Sequence, residues 1–461
     1  MQLQSTENNR WPLKLMLESV RNSLKQHSDK HLPYLDPVTR GWAVIFSGTA
    51  ARMGLSFLTG IVIVRTFGPA DFGVYSLLLA VVGIVGVIVD FGLTETAVKK
   101  IAELWSGDRY QALRQAQVFF WLRVGLALGG VGLCLALAQP ISRYLLQLTN
   151  DGWLLSVALL SVVTTALNGS VTAILQGTNY FGRISVAMVI SSALALLLAV
   201  ILVLIDRLTL ATALLGIGAG TALAGFWVGQ RLLPNDWGDA GTSPLTFPGK
   251  TIIRAEGPPF LRFGRWLWLA NILKTLSAYL DFFLLNLWLT PAVVGIYALA
   301  LGLSARVETV NHSLYTVLIP MASALKGRAA LVNYLRQGFK RSGLISLVLL
   351  GLLIPLAVWF IPFFYGEAFR PATRLFQLLL GVLIFDIFTL PPLLLIYTFD
   401  RPDLSALAEG LRVVTLIITA IWLIPLLGPL GAIVAKFMAK IVGVLVTIFL
   451  LWPHYKRVKS P

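Results

Sequence analysis

Among 461 residues there is one cysteine, Cys134, and only four histidines: His27, His31, His312 and His454. A lone cysteine closes no intrachain disulfide, and the histidines never fall at metal-ligand spacing, so neither a disulfide framework nor a metal centre is expected. Charge is scarce as well. Asp, Glu, Lys and Arg make up 13% of the chain, about half of the roughly 25% an average soluble domain carries. So few charges cannot cover a water-facing surface of this size. With 57% hydrophobic residues and a mean hydropathy of +0.80, the chain reads as an all-α polytopic membrane protein. That excludes most soluble enzymes and any disordered or collagen-like chain. Negative charge is the scarcer sign, with 21 acidic residues against 37 basic ones and a net charge of +16. In a soluble protein such an excess suggests nucleic acid. In a membrane protein it first marks the loops on one side of the bilayer, and no nucleic-acid partner is expected.

Catalytic and nucleotide signatures are missing too. No Ser/His/Asp or Cys/His set is placed where a nucleophile could work, so no chemistry on a substrate is expected. Gly249-Lys250-Thr251 lacks the upstream glycine of a phosphate loop, because position 244 is Pro. With no ATPase and no cofactor, the driving force is expected to be a proton or sodium gradient, or the gradient of the substrate itself. Gly216-Ile-Gly218-Ala-Gly220 lies in an apolar run and reads as a close-packing surface, not a nucleotide fingerprint. About forty mostly polar residues precede the first long apolar run, so no cleaved signal peptide is expected.

What the chain has in abundance is apolar stretches of the roughly 20 residues a bilayer crossing requires. Twelve are read, at about 41–66, 73–93, 117–139, 152–175, 184–205, 208–230, 264–289, 292–318, 342–364, 374–398, 404–426 and 428–452. With both termini in the cytoplasm, 25 of the 37 basic residues fall on inside segments and eight within helices. Outside there are four, Arg143, Arg207, Arg370 and Arg374. A wrong count of spans would scramble that alternation, so the charge asymmetry supports twelve. The chain divides accordingly into a cytoplasmic N-terminal segment (1–40), a six-helix bundle (41–230), a proline-rich cytoplasmic linker (231–262), a second six-helix bundle (263–452) and a basic tail (453–461). Within the first segment, Leu13, Met16, Leu17, Val20 and Leu24 recur at helical spacing opposite Lys14, Arg21 and Lys25. The stretch Trp11 to Gln26 therefore reads as a basic amphipathic helix on the inner leaflet.

The two bundles carry a repeat. The join between the first two spans reads Gly68-Pro-Ala-Asp-Phe-Gly-Val-Tyr-Ser-Leu-Leu-Leu79, and the join between the seventh and eighth reads Thr290-Pro-Ala-Val-Val-Gly-Ile-Tyr-Ala-Leu-Ala-Leu301. Pro, Ala, Gly, Tyr and two Leu coincide at an offset of 222 positions, from Pro69 to Pro291. Proline presets the turn and glycine follows where the next helix begins. Six spans preserve orientation, so the halves are parallel repeats about an axis along the membrane normal. In transporters of that design the substrate is handled between the halves.

The stretch Val64-Arg-Thr-Phe-Gly-Pro-Ala-Asp-Phe-Gly-Val-Tyr75, followed by Asp90-Phe-Gly-Leu93, resembles the start of polysaccharide-biosynthesis oligosaccharide flippases. Phe263 to Pro320, with Asp281, Gly295-Ile-Tyr297 and Leu318-Ile-Pro320, resembles their middle. These proteins belong to the multidrug/oligosaccharidyl-lipid/polysaccharide exporter superfamily. The resemblance implies two six-helix bundles around a V-shaped central cavity. It also implies that a polyprenyl-diphosphate-linked oligosaccharide is moved by alternating access from the inner to the outer leaflet of a bacterial-type cytoplasmic membrane. The lipid-linked sugar, the bilayer and polysaccharide polymerase machinery are the partners it suggests.

Ionisable groups inside a bilayer are costly and usually face a cavity or a partner. Arg52 and Arg306 sit near the middle of the first and eighth spans. They are the first candidates for a substrate diphosphate, since a guanidinium matches phosphate oxygens bidentately. The similar flippases keep basic residues on those same two helices; the competing reading pairs Arg306 with Glu308 or Asp281. Lys274 lies two helical turns from Asp281, as a neutralised pair or as one that breaks during transport. Lys436 and Lys440 share a face of the twelfth span and complete the candidate binding set. Asp386, five residues before Pro391-Pro392, is a candidate for protonation or for pairing with either lysine. Asp281, Glu308 and Asp386 are thus the candidates for coupling or gating. Arg123, Glu409 and Arg412, near helix ends, read as snorkelling or capping groups. A multidrug antiporter of the same superfamily would need a carboxylate-rich cavity. A peptidoglycan-precursor flippase usually has two more helices. A membrane glycosyltransferase or polymerase would need a sizeable outside loop, and the longest here are about a dozen residues.

Overall fold

A backbone amide left unpaired in hydrocarbon costs several kcal/mol, so each apolar run must satisfy its hydrogen bonds within itself. The computed structural model of the chain describes residues 37–148, 152–234, 237, 242–323, 328–395 and 402–457, and among these it contains helices and turns but no strand. The amphipathic stretch Trp11 to Gln26 and the end of the basic tail lie outside the described residues. The first half comprises α1 (Pro37–Asp90), α2 (Leu93–Trp105), α3 (Arg109–Ala136), α4 (Trp153–Gly177), α5 (Phe181–Leu204) and α6 (Leu210–Arg231). The second half comprises α7 (Lys250–Trp288), α8 (Pro291–Ser323), α9 (Arg328–Tyr365), α10 (Pro371–Leu393), α11 (Pro402–Leu427) and α12 (Pro429–Arg457).

Eleven of these helices are long and apolar enough to cross a membrane among the described residues. One of them, the 46-residue stretch Ile45–Asp90 of α1, would measure about 69 Å if straight, twice a bilayer core. It breaks at Gly68, whose φ of 68° and ψ of −178° no L-residue adopts readily, just before Pro69. The two arms of α1 are therefore the first two spans, and the total is the expected twelve.

Two features depart from the sequence reading. The second span does not run into a loop. Phe91 and Gly92 turn left-handed (φ 50° and 66°), and α2 follows as a separate amphipathic helix burying Leu93, Thr96, Ala97 and Ile101. The proline-rich connection is also not loose. Helix α7 begins at Lys250, with Pro258 and Pro259 inside it, and its first turns lie on the first half. Glu256 accepts from Gln115 (2.7 Å) and pairs with Arg114 (2.8 Å). Lys100 sits 4.1 Å over the Phe260 ring. Upstream, Ser243 and Leu245 take side-chain donors from Gln117 and Trp121 through their carbonyls, and Trp237 is buried 4.9 Å from Trp105.

The halves also meet at the opposite end of the bundle, through the two copies of the repeat. A Cβ on Gly73 would overlap the Pro291 carbonyl oxygen, and one on Gly295 would overlap that of Pro69. Each glycine therefore seats the turn of the other half. Beside this contact, buried Asn286 donates to the carbonyls of Leu145 (3.2 Å) and Leu146 (3.0 Å), and Phe72 packs edge-on against Phe369.

Because a methyl group has no room at either glycine, Gly73→Ala and Gly295→Ala should each destabilise the folded protein by about 1–3 kcal/mol. Gly86→Ala in the second arm of α1, where nothing lies within 4 Å, should leave stability unchanged or raise it. Thermal unfolding in detergent distinguishes the two cases.

Candidate functional site

A cavity of about 520 Å³ opens between the halves. Its first-half wall comes from both arms of α1 and from α4, α5 and α6; its second-half wall comes from α8 and from Tyr365 of α9. Helical spacing explains what α1 and α8 bring to it. Arg52, Ser56 and Gly60 follow one another every four residues on α1, as Ala298, Gly302 and Arg306 do on α8.

Both candidate arginines line this cavity. Arg52 is exposed within it, its Nη1 3.9 Å from the Met188 sulfur. Arg306 donates to the Gly302 carbonyl (3.2 Å) and lies 5.2 Å over the Phe57 ring. Its guanidinium reaches Gly60, where a Cβ would sit 3.4 Å from Nη2. That places the two arginine sites about 12 Å apart along α1, eight residues at 1.5 Å each. Among the described residues neither arginine has a carboxylate within 4 Å, so Arg306 pairs with neither Glu308 nor Asp281. No acidic side chain is among the described residues lining the cavity.

The two lysines of α12 are placed differently. Lys436 pairs with Asp281 at 2.6 Å, and Asp281 also accepts from the Tyr297 hydroxyl. The carboxylate is fully buried, and its Oδ1 has no partner among the described residues. One turn along, Lys440 pairs with Asp386 of α10. Glu308 is exposed and within electrostatic reach of Lys440. Lys274 is exposed on α7, does not line the cavity, and leaves Asp281 to Lys436. The candidate bases thus divide into two that face open space, two that are neutralised inside the second half, and one that stands apart.

Two further groups behave otherwise than their helix-end positions suggest. Arg123 makes a nearly buried ion pair with Asp90 (3.1 Å) and also donates to the Thr94 hydroxyl, tying α3 to the end of α1. Arg412 is held by Glu409 at 2.9 Å and reaches Ser277 of α7. What the charge-based reading missed is the neutral polar wall of the cavity, Ser56, Thr59, Asn168, Thr172, Ser191, Ser192 and Thr221. Its sequence signal is weak, a few small polar residues spaced three or four apart in apolar helices.

Twelve spans in two repeated halves, with an arginine-bearing cavity between them, define a membrane transporter of two helical bundles. Solved structures share that fold. A multidrug-resistance MATE-family transporter of the MOP superfamily, in an inward-facing conformation, superposes with a TM-score of 0.72 at 17% identity, covering 90% of this chain and 98% of its own. The lipid II flippase MurJ, in an inward closed conformation, gives 0.63 at 15% identity, covering 88% and 87%. The chain belongs to the polysaccharide biosynthesis protein family, whose model matches residues 38–326. A Shigella flexneri protein described as a proposed O-antigen transporter is 23% identical over 381 residues, 80% of this chain and 87% of its own. The protein is thus a multi-pass membrane transporter of the polysaccharide-biosynthesis type.

The buried pair gives a stability prediction. Removing one partner strands the other charge, so Asp281→Asn and Lys436→Met should each cost about 3–5 kcal/mol. The double variant should lose clearly less than the two losses added, which a double-mutant cycle of thermal unfolding measures.

Proposed function

We propose that the protein is a flippase that moves a polyprenyl-diphosphate-linked oligosaccharide from the cytoplasmic to the outer leaflet of a bacterial inner membrane, with both termini in the cytoplasm. The observation that carries this reading is the charge of the cavity. Two arginines without carboxylate partners face it, no described acid does, and a diphosphate is the anion that two guanidinium forks suit. In a medium of low dielectric those contacts are stronger than in water. Family membership and the O-antigen relative support the cargo class. The lipid tail stays in the bilayer while the head group crosses between the halves. Release outside requires the halves to part at Gly73 and Gly295 and to close at the end where α7 lies on the first half.

Coupling belongs to the buried network of the second half. Asp281, with one carboxylate oxygen unpaired, and Asp386 are the groups that can exchange a lysine partner for a proton or a sodium ion, with Glu308 close by. A multidrug antiporter for cations is the weaker reading, because its cavity would need carboxylates where this one has arginines. A peptidoglycan-precursor flippase shares the fold, but the family match favours other polysaccharide precursors.

Reconstitution in liposomes with a fluorescent polyprenyl-diphosphate sugar tests the proposal. The wild type should transfer the probe between leaflets without covalent change. Arg52→Ala and Arg306→Ala should each slow transfer at least about tenfold, the loss of one charge-assisted contact, at unchanged folding. Full transfer by both variants would remove the arginines from the mechanism.

A further inference from the structure

The two halves are repeats of one fold, yet the cavity they enclose is not symmetrical. Every small neutral polar side chain among the described lining residues belongs to the first half: Ser56 and Thr59 on α1, Asn168 and Thr172 on α4, Ser191 and Ser192 on α5, and Thr221 on α6. The second half contributes Ala298, Leu299 and Gly302 beside Arg306 and Tyr365. Nothing in a duplicated fold requires so many hydroxyls to gather on the first-half wall.

The hydrogen bonds of this wall have a consistent sense. Thr59 donates to the Leu55 carbonyl (2.9 Å), Thr172 to Asn168 (2.9 Å), Ser191 to Ala187 (2.8 Å) and Thr221 to Ile217 (2.5 Å). The proton of each of these four hydroxyls is thereby committed to its own helix, which leaves the oxygen to act as an acceptor. The Asn168 carboxamide completes the wall. A Cβ on Gly225 would lie 2.6 Å from the Ser191 oxygen and 2.8 Å from Asn168 Oδ1, so the glycine leaves those two side chains their place at the cavity edge. Hydroxyls that merely help helices pack are satisfied in the same way, but packing alone does not gather them on four helices around one open space.

The geometry points to a saccharide subsite on the first-half wall, selective for uncharged, hydroxyl-rich sugars and separate from the arginines that hold the diphosphate. Sugar hydroxyls both donate and accept; the four backbone-bonded hydroxyls offer acceptors, and the Asn168 amide supplies donors. A cationic sugar would meet no described carboxylate there, and an acidic one no base beyond the arginines. This inference rests on the flippase reading, and the probes below separate the two.

The test is equilibrium binding to the full-length protein in lipid nanodiscs. Two fluorescent probes are used: polyprenyl diphosphate bearing a neutral trisaccharide, and bare polyprenyl diphosphate. The wild type should hold the saccharide probe more tightly. Thr172→Val and Asn168→Leu should each weaken that probe about five- to tenfold, roughly one hydrogen bond, and leave the bare probe's affinity as it was. Arg52→Ala should weaken both probes. Equal losses on both probes in the wall variants, unchanged saccharide binding in both variants, or equal wild-type affinities would overturn the subsite and leave the flippase reading standing. A wild type that binds neither probe would overturn the flippase reading and the subsite with it.

Discussion

A charge in hydrocarbon must find a partner or open water, and that requirement arranges most of what is distinctive in this molecule. Asp281 meets Lys436 and Tyr297, Asp386 meets Lys440, and Asp90 meets Arg123. Each pair joins two or three helices that the chain brings together from far apart, so the charges act as fasteners between spans. Of the candidate bases, Lys436 and Lys440 are taken up in this way, whereas Arg52 and Arg306 face the cavity. Their freedom is informative because Asp281 and Asp386 are already engaged by lysines.

The requirement also separates the halves by role. The second half keeps its ionic network inside the bundle, where it ties α7, α8, α10 and α12 together. The first half presents neutral polar side chains beside Arg52, with no acid among the described lining residues. The two bundles touch across the middle chiefly through α8 against α1, with α7 against α1 beside it.

Much of this was legible in the sequence, and the limits have physical causes. Spans, parallel halves and the depth of each charge follow from hydropathy, the positive-inside bias and the shared Pro-Ala-Gly-Tyr turn, since these depend on position along the membrane normal alone. Which lysine meets which aspartate depends on rotation about that normal, so the sequence offered Lys274 for Asp281 where the fold supplies Lys436. Helix α2 was hidden because Phe91 and Gly92 turn the chain within an apolar stretch. The packed start of α7 was hidden because prolines read as breakers even where a neighbouring bundle braces the helix around them. The hydroxyl wall was obscured because serine and threonine in an apolar helix satisfy themselves locally, whatever face they occupy.

The meeting of Gly73 with Pro291 and of Gly295 with Pro69 has a property beyond tightness. The surface each half presents is the same surface it receives, so the contact is isologous, like the interface of a two-fold dimer. A six-span unit carrying one such turn would present to a copy of itself everything this contact needs, without the connecting chain. The seal at this end is therefore that of a fused dimer. The linker's contribution lies at the other end, where the first turns of α7 break the symmetry by lying on the first half.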